Sequence, residues 1–314
     1  MRPFRFGYQL RAADPGELRR QAQSAEEAGF DVLCTFDHLG QNFSALAPLL
    51  AAAAWTARIR LCPLVLNNDF HHPALLAQEL ATMDQLSGGR LEVGIGAGHS
   101  FTEYAAAGID FDPPAVRKAR MAEAVEILRR LLDGETVTHV GEHYRLEEVS
   151  ILPAAQRHVP ILVGVNGRTA LAHASRHADA IGLTMLGRTL ADGQRHEVRW
   201  SLQRLDDTLD WIKSQAGARW GAGDLELNAL VQAVVITDDR RSAAEALAAE
   251  VEGLTVADAL ATPFVALGTT DEIAQHLLAC RQRWGISYYV VREIDAFAPV
   301  MEILRRSDRR SGRC

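Results

Sequence analysis

What this chain lacks narrows it before any motif is read. It has only four cysteines, Cys34, Cys62, Cys280 and Cys314, scattered without metal-ligand spacing or a disulfide framework, the usage of a reducing cytosol. It has no long apolar run: residues 46–55 hold the longest, far short of the roughly 20 residues a membrane helix needs. It has no excess of positive charge. With 33 Lys and Arg against 40 Asp and Glu, the net charge of −7 excludes nucleic acid and anionic membrane surfaces as its main business. No low-complexity run and no composition break marks a linker, and residues 1–6 lead straight into a strand pattern rather than a leader peptide. Gly-x-Ser-x-Gly and His-Glu-x-x-His are both absent, so neither a nucleophile elbow nor a helix-borne zinc site is written here. The expectation is a soluble cytoplasmic protein.

What is present centres on residues 86–99, Leu86-Ser-Gly-Gly-Arg-Leu-Glu-Val-Gly-Ile-Gly-Ala-Gly-His99. A helix ends in the Ser-Gly-Gly turn, a strand follows, and Gly94, Gly96 and Gly98 fall on alternate positions toward its end. Glycine weakens a strand, so repeated glycines mark a place where another surface comes close. Around this stretch strands and helices alternate. Strands are expected over residues 4–10, 30–36, 59–66, 91–95, 160–165, 180–183, 227–236 and 288–291. Helices are expected between them, one opening at Pro15 and another at Pro73. Eight strands with intervening helices predict an α/β fold, a single (β/α)8 barrel over residues 1–306. Two insertions interrupt it, an extended one near 135–150 and a helical one near 186–223 with three tryptophans, a candidate lid. Residues 307–314 read as a disordered tail. A doubly wound sheet would carry phosphate-binding glycines after strand one, where this chain has Gly7-Tyr8-Gln9.

In a barrel the C-terminal strand ends converge on one mouth. Tyr8, Gln9, Asp37, His38, residues 64–69, 96–103 and 164–168 gather there, rich in imidazole, amide and backbone donors but without a carboxylate cluster. His38 can move a proton near neutral pH. His99 faces the same mouth. A metal shared by Asp37, His38, His71, His72 and His99 is disfavoured, because metal-dependent barrel hydrolases carry a His-x-His pair after strand one. With neither metal nor nucleophile, a bound organic cofactor is the best source of chemistry.

Phe36-Asp-His-Leu39, Arg58-Ile-Arg-Leu-Cys-Pro-Leu-Val-Leu66, His72-Pro-Ala74, Leu86-Ser-Gly-Gly-Arg90 and Gly94-Ile-Gly-Ala-Gly98 together resemble the luciferase-like monooxygenase superfamily, and within it the coenzyme F420-dependent oxidoreductases. The resemblance implies a deazaflavin at the mouth and hydride transfer between its C5 and a small organic substrate. Carried over by position, it implies that Asp37 contacts the ring system, that His38 handles the proton, and that His99 stands beside them where some members have a carboxylate. It also implies a non-prolyl cis peptide at Leu64-Val65 behind the ring. Asn67, Gly96, Ala97, Gly98 and Thr102 would line the cofactor, while Gly164, Val165, Asn166, Gly167 and Arg168 would hold its phosphate. An FMN-dependent monooxygenase, fed reduced flavin by a partner reductase, is the alternative. A homodimer is expected by the same likeness.

Overall fold

The structure, a computed structural model, describes residues 1–41, 43–190 and 196–311. The first half alternates as expected: β1 (Arg5–Gln9), α1 (Pro15–Glu27), β2 (Val32–Thr35), α2 (Ala47–Trp55), β3 (Arg60–Pro63), β4 (Leu66–Asn67), α3 (Pro73–Leu86), β5 (Val93–Gly96), α4 (Phe101–Ala107) and α5 (Pro114–Leu132). Next come a hairpin of β6 (Val137–Val140) and β7 (Arg145–Val149), then β8 (Ile161–Gly164), α6 (Arg168–His177) and β9 (Ala180–Leu183). A second hairpin of β10 (Leu186–Thr189) and β11 (His196–Val198) leads to α7 (Leu202–Ala216), α8 (Ala218–Ala222), β12 (Glu226–Leu230) and β13 (Ala233–Ile236). The chain ends with α9 (Arg240–Glu250), α10 (Val256–Ala261), β14 (Val265–Gly268), α11 (Thr270–Trp284), β15 (Tyr288–Val291) and α12 (Ile294–Ser311).

Local chemistry sets these boundaries. Asp14 accepts from the Glu17 amide at 2.8 Å, Pro15 fills the first turn of α1, and Gly29 at φ 86° lets the chain reverse after it. Thr269 and Glu272 cap α11 reciprocally.

The main sheet runs in the order β3-β2-β1-β15-β12-β9-β8-β5-β4, all parallel. β3 and β4 are two parts of one expected strand, separated by the cis Leu64-Val65 peptide. Since Leu61 also bridges Leu91, the sheet closes on itself as a (β/α)8 barrel. Alternate residues face inward. Val32, Cys34, Cys62, Leu64, Leu162, Ala180, Tyr288 and Val290 fill the inside as a cluster distinct from the larger core between strands and helices. Where the strands begin, Arg5 meets Glu92 at 2.8 Å and Glu226 at 2.9 Å, Arg60 also pairs with Glu92, and the Arg5 guanidinium lies 4.5 Å from the Tyr288 ring centre. Burial works to raise the Glu92 carboxyl, but Arg5 and Arg60 more than offset it and hold its pKa below the ordinary value.

Three expectations are corrected. The strand read over 227–236 is two: β12 belongs to the barrel, while β13 steps out past Val231-Gln232 to pair with β14, a change that a continuous apolar run does not reveal. The second insertion is not purely helical, since it opens with the β10–β11 hairpin; residues 191–195 of it lie outside the described residues. Of the expected tail, α12 takes in the residues up to Ser311, because Asp308 is held by the Phe4 amide at 2.8 Å and by Arg281; residues 312–314 lie outside the described residues. The first insertion is the expected extended hairpin.

Candidate active site

The mouth is built around a shelf. At the Leu64-Val65 peptide the third strand bulges inward, and its neighbours must be bare to receive it. A Cβ on Gly96 would stand 2.7 Å from Val65 Cγ2, one on Gly164 would stand 3.3 Å from Val65 Cγ1, and one on Gly94 would collide with the Pro63 carbonyl. The close surface that the alternating glycines announce is therefore the next strand of the barrel. Val65 thus lies over the bare backbone of its neighbours.

β2 delivers Asp37 and His38 in opposite directions. Asp37 accepts from the Asn67 amide at 2.9 Å and lies 3.2 Å from His71 Nε2, so it joins the second and third strand ends. His38 Nδ1 lies 2.8 Å from Glu103 Oε1, and the other Glu103 oxygen accepts from the Leu39 amide at 3.2 Å. Glu103 falls among the residues expected at the mouth, but no role was assigned to it from the sequence. It sits in the first turn of α4, buried, seven residues beyond the last glycine of β5. Its neighbour Tyr104 is fully buried and donates to Asn67 Oδ1 and Asp69 Oδ2, both at 3.0 Å, while Arg117 donates to the Ala97 carbonyl at 3.2 Å. Asn67, expected at the cofactor, is thus committed to holding α4. A helix after a glycine-rich strand end, with Glu and Tyr on its inner face, was the available signal.

His99 completes a line of rings. Its centroid is 5.3 Å from that of His38 and 4.7 Å from that of His196, whose Nε2 lies 3.1 Å from His99 Nδ1. His196 comes from the β10–β11 hairpin, so the insertion reaches the mouth through this strand pair. The three tryptophans do not form a lid: Trp200 is core, Trp211 packs at α6, and Trp220 lies against Gly285. The His99 ring is open to solvent on one side, yet desolvation, with His196 and His38 next, pushes its pKa down to about 4. His72 packs on Tyr144 and caps α3.

On the far side of the mouth, Gly164, Val165, Asn166 and Gly167 run into the N-terminus of α6. No side chain caps it, and Gly167 takes φ 90° there. The Lys118 ammonium approaches the Gly167 position, and the Arg168 guanidinium lies 4.9 Å from the Trp211 ring centre. Free amides at a helix start with two cations nearby could hold an anion such as phosphate. Val165 turns its side chain into the core, leaving only its backbone to the mouth. Thr102 is exposed, its hydroxyl 3.1 Å from that of Ser100.

A further cation stands at the mouth. Arg292 extends the inward row of Tyr288 and Val290, and donates to Gln9 Oε1 at 2.7 Å and Gln232 Oε1 at 3.2 Å. Among the described residues it makes no ion pair; burial, then Arg11, lower its pKa to about 10. Among those residues no helix is long and apolar enough to cross a membrane.

A family model described as luciferase-like monooxygenase matches residues 2–288. An F420-dependent glucose-6-phosphate dehydrogenase of Nakamurella multipartita is 36% identical over 230 residues, 67% of each chain. Across the curated relatives it matches, this chain spans 52 to 67% of their length. An F420-dependent secondary alcohol dehydrogenase, solved with an F420–acetone adduct, superposes with a TM-score of 0.77 at 20% identity, covering 97% of this chain and all of that one. The F420-dependent tetrahydromethanopterin reductase of Methanopyrus kandleri gives a TM-score of 0.74 at 18% identity over 96% of this chain and all of that one.

Proposed function

The chain belongs to the luciferase-like monooxygenase family, and from that premise we propose that it is a coenzyme F420-dependent oxidoreductase acting on a small hydroxyl- or carbonyl-bearing substrate. The observation that carries this reading is the pairing of a proton-handling group, His38 on Glu103, with an α6 start whose amides no side chain caps. The residues present fit such a cofactor: the Val65 shelf and Gly96, Ala97 and Gly98 for a flat ring, and Gly164 to Arg168 with Lys118 for an anionic tail. When bound, a deazaflavin supplies a carbon that gives or takes hydride.

The chain's own residues do the rest. Glu103 accepts from Nδ1 of His38, which fixes the tautomer and leaves Nε2 to take or return the proton that leaves or joins the substrate oxygen. His99, held neutral, positions the substrate oxygen beside it. Arg292 meets an anionic or strongly polar end of the substrate from the opposite wall. The hairpin that carries His196 narrows the opening.

Titrating the purified chain with oxidised F420 and, separately, with FMN tests this, following the fluorescence of each. Saturable F420 binding is expected. FMN binding in its place moves the reading to a reduced-flavin monooxygenase, and binding of neither overturns both.

A further inference from the structure

Glu126 on α5, and His173 and His177 on α6, stand together on the outer ring of helices. The two histidines are one turn apart in the last part of α6, at the end away from the mouth. Their rings stack at 4.5 Å between centroids, and His173 Nε2 lies 2.9 Å from Glu126 Oε1. One donor atom from each of the three residues falls within 4.8 Å of the other two. We propose that these three side chains form a zinc site, independent of the cofactor chemistry at the mouth, that clamps α5 to α6.

The chemistry and geometry both suit zinc. Two imidazoles and one carboxylate are a common protein ligand set for Zn²⁺, with water taking the fourth position. Donors on a tetrahedral zinc lie about 3.3 Å apart for bonds of about 2.05 Å. The His173–Glu126 pair is already near that separation, and the widest approach closes by small rotations of side chains that are free to move, since Glu126 and His177 are exposed. Spacing of i and i+4 puts both rings on one helix face. The backbone supplies fixed ends, because α5 and α6 pack against each other.

The carboxyl end of a helix carries partial negative charge, which favours a cation beside His177. Arg176 and Arg219 are the nearby positive groups. Arg219 is taken up by the Ser175 and Ala178 carbonyls, at 2.8 and 2.6 Å, and Arg176 by the Ala172 carbonyl at 2.9 Å.

The test uses the full untagged chain, stripped with chelator and titrated with Zn²⁺ in competition with a chromophoric chelator. One saturable equivalent is expected. His177→Ala and Glu126→Gln should each weaken it at least about tenfold, and His173→Ala by as much or more. Zinc should also raise the melting temperature of the wild type but not of the His173→Ala/His177→Ala double variant. His196→Ala checks the histidine cluster at the mouth. Unchanged affinity in the Glu126 and His177 variants, no saturable binding by the wild type, or a loss confined to His196→Ala would each overturn the site.

Discussion

His38 Nδ1 and Glu103 Oε1, 65 residues apart in sequence, meet at 2.8 Å across the barrel mouth. A carboxylate accepts, so this contact leaves the opposite ring nitrogen of His38 unengaged by Glu103, the nitrogen that would face substrate in the proposed function. Glu103→Gln keeps the shape and removes the charge. Turnover should fall roughly 10- to 100-fold while F420 affinity stays within about twofold. His38→Ala should cost turnover roughly 100- to 10,000-fold. Steady-state kinetics beside cofactor titration separate the two effects; equal losses of binding and turnover would remove His38 from its role.

Gly96→Ala places a methyl 2.7 Å from Val65 Cγ2, whose branched side chain is boxed in by Gly94 and Gly164. The expected cost is about 1–3 kcal/mol in denaturant-measured stability. Gly108→Ala has nothing within 4 Å of the new Cβ, although its φ of 68° adds backbone strain, so it reports that cost without the clash. A larger loss at Gly96 than at Gly108 is the expected order.

His99, with its pKa pushed down to about 4, stays neutral across the physiological range. Its ring resonances should not titrate between pH 8 and pH 5 by NMR. The sign for stability follows from a folded value below the unfolded one of about 6.5. Full support is present above pH 6.5 and is lost progressively as pH falls toward 4. His99→Asn should flatten that part of the acid-denaturation curve.

Arg292→Gln removes the inward cation but leaves an amide beside Gln9 and Gln232. KM for an anionic substrate should rise roughly 10- to 100-fold with little change in kcat, and Arg292→Lys should recover part of it. A fall in kcat alone would assign Arg292 to another step.

Burial lifts the Cys34 and Cys280 thiols to about 12 and raises that of Cys62. None of the three should react with Ellman's reagent until the chain unfolds.

The barrel was legible because its signals are local: apolar strands, Pro15 and Pro73 at helix starts, glycine at helix ends. His38 and the glycine stretch were legible as members of the mouth for the same reason. The pairing of Glu103 with His38 was not, since a carboxylate in a short helix points nowhere until Tyr104 and Arg117 fix that helix in place. His196 was hidden further still. It reaches His99 across 97 residues through a hairpin within a segment that reads as helical. The step between β12 and β13 escaped because one continuous apolar run serves two sheets, and only pairing with β14 tells them apart.

The knot of Arg5, Glu92, Arg60 and Glu226 stoppers the barrel at its base. Whatever enters must therefore leave by the door it came through. Under the proposed chemistry, a reactant lodged against the Val65 ledge has no rear exit, and a later arrival over it would trap it. In that reading such a vessel would enforce last in, first out: the redox partner nearest the wall would enter first, and the small reactant that follows would depart before it is exchanged.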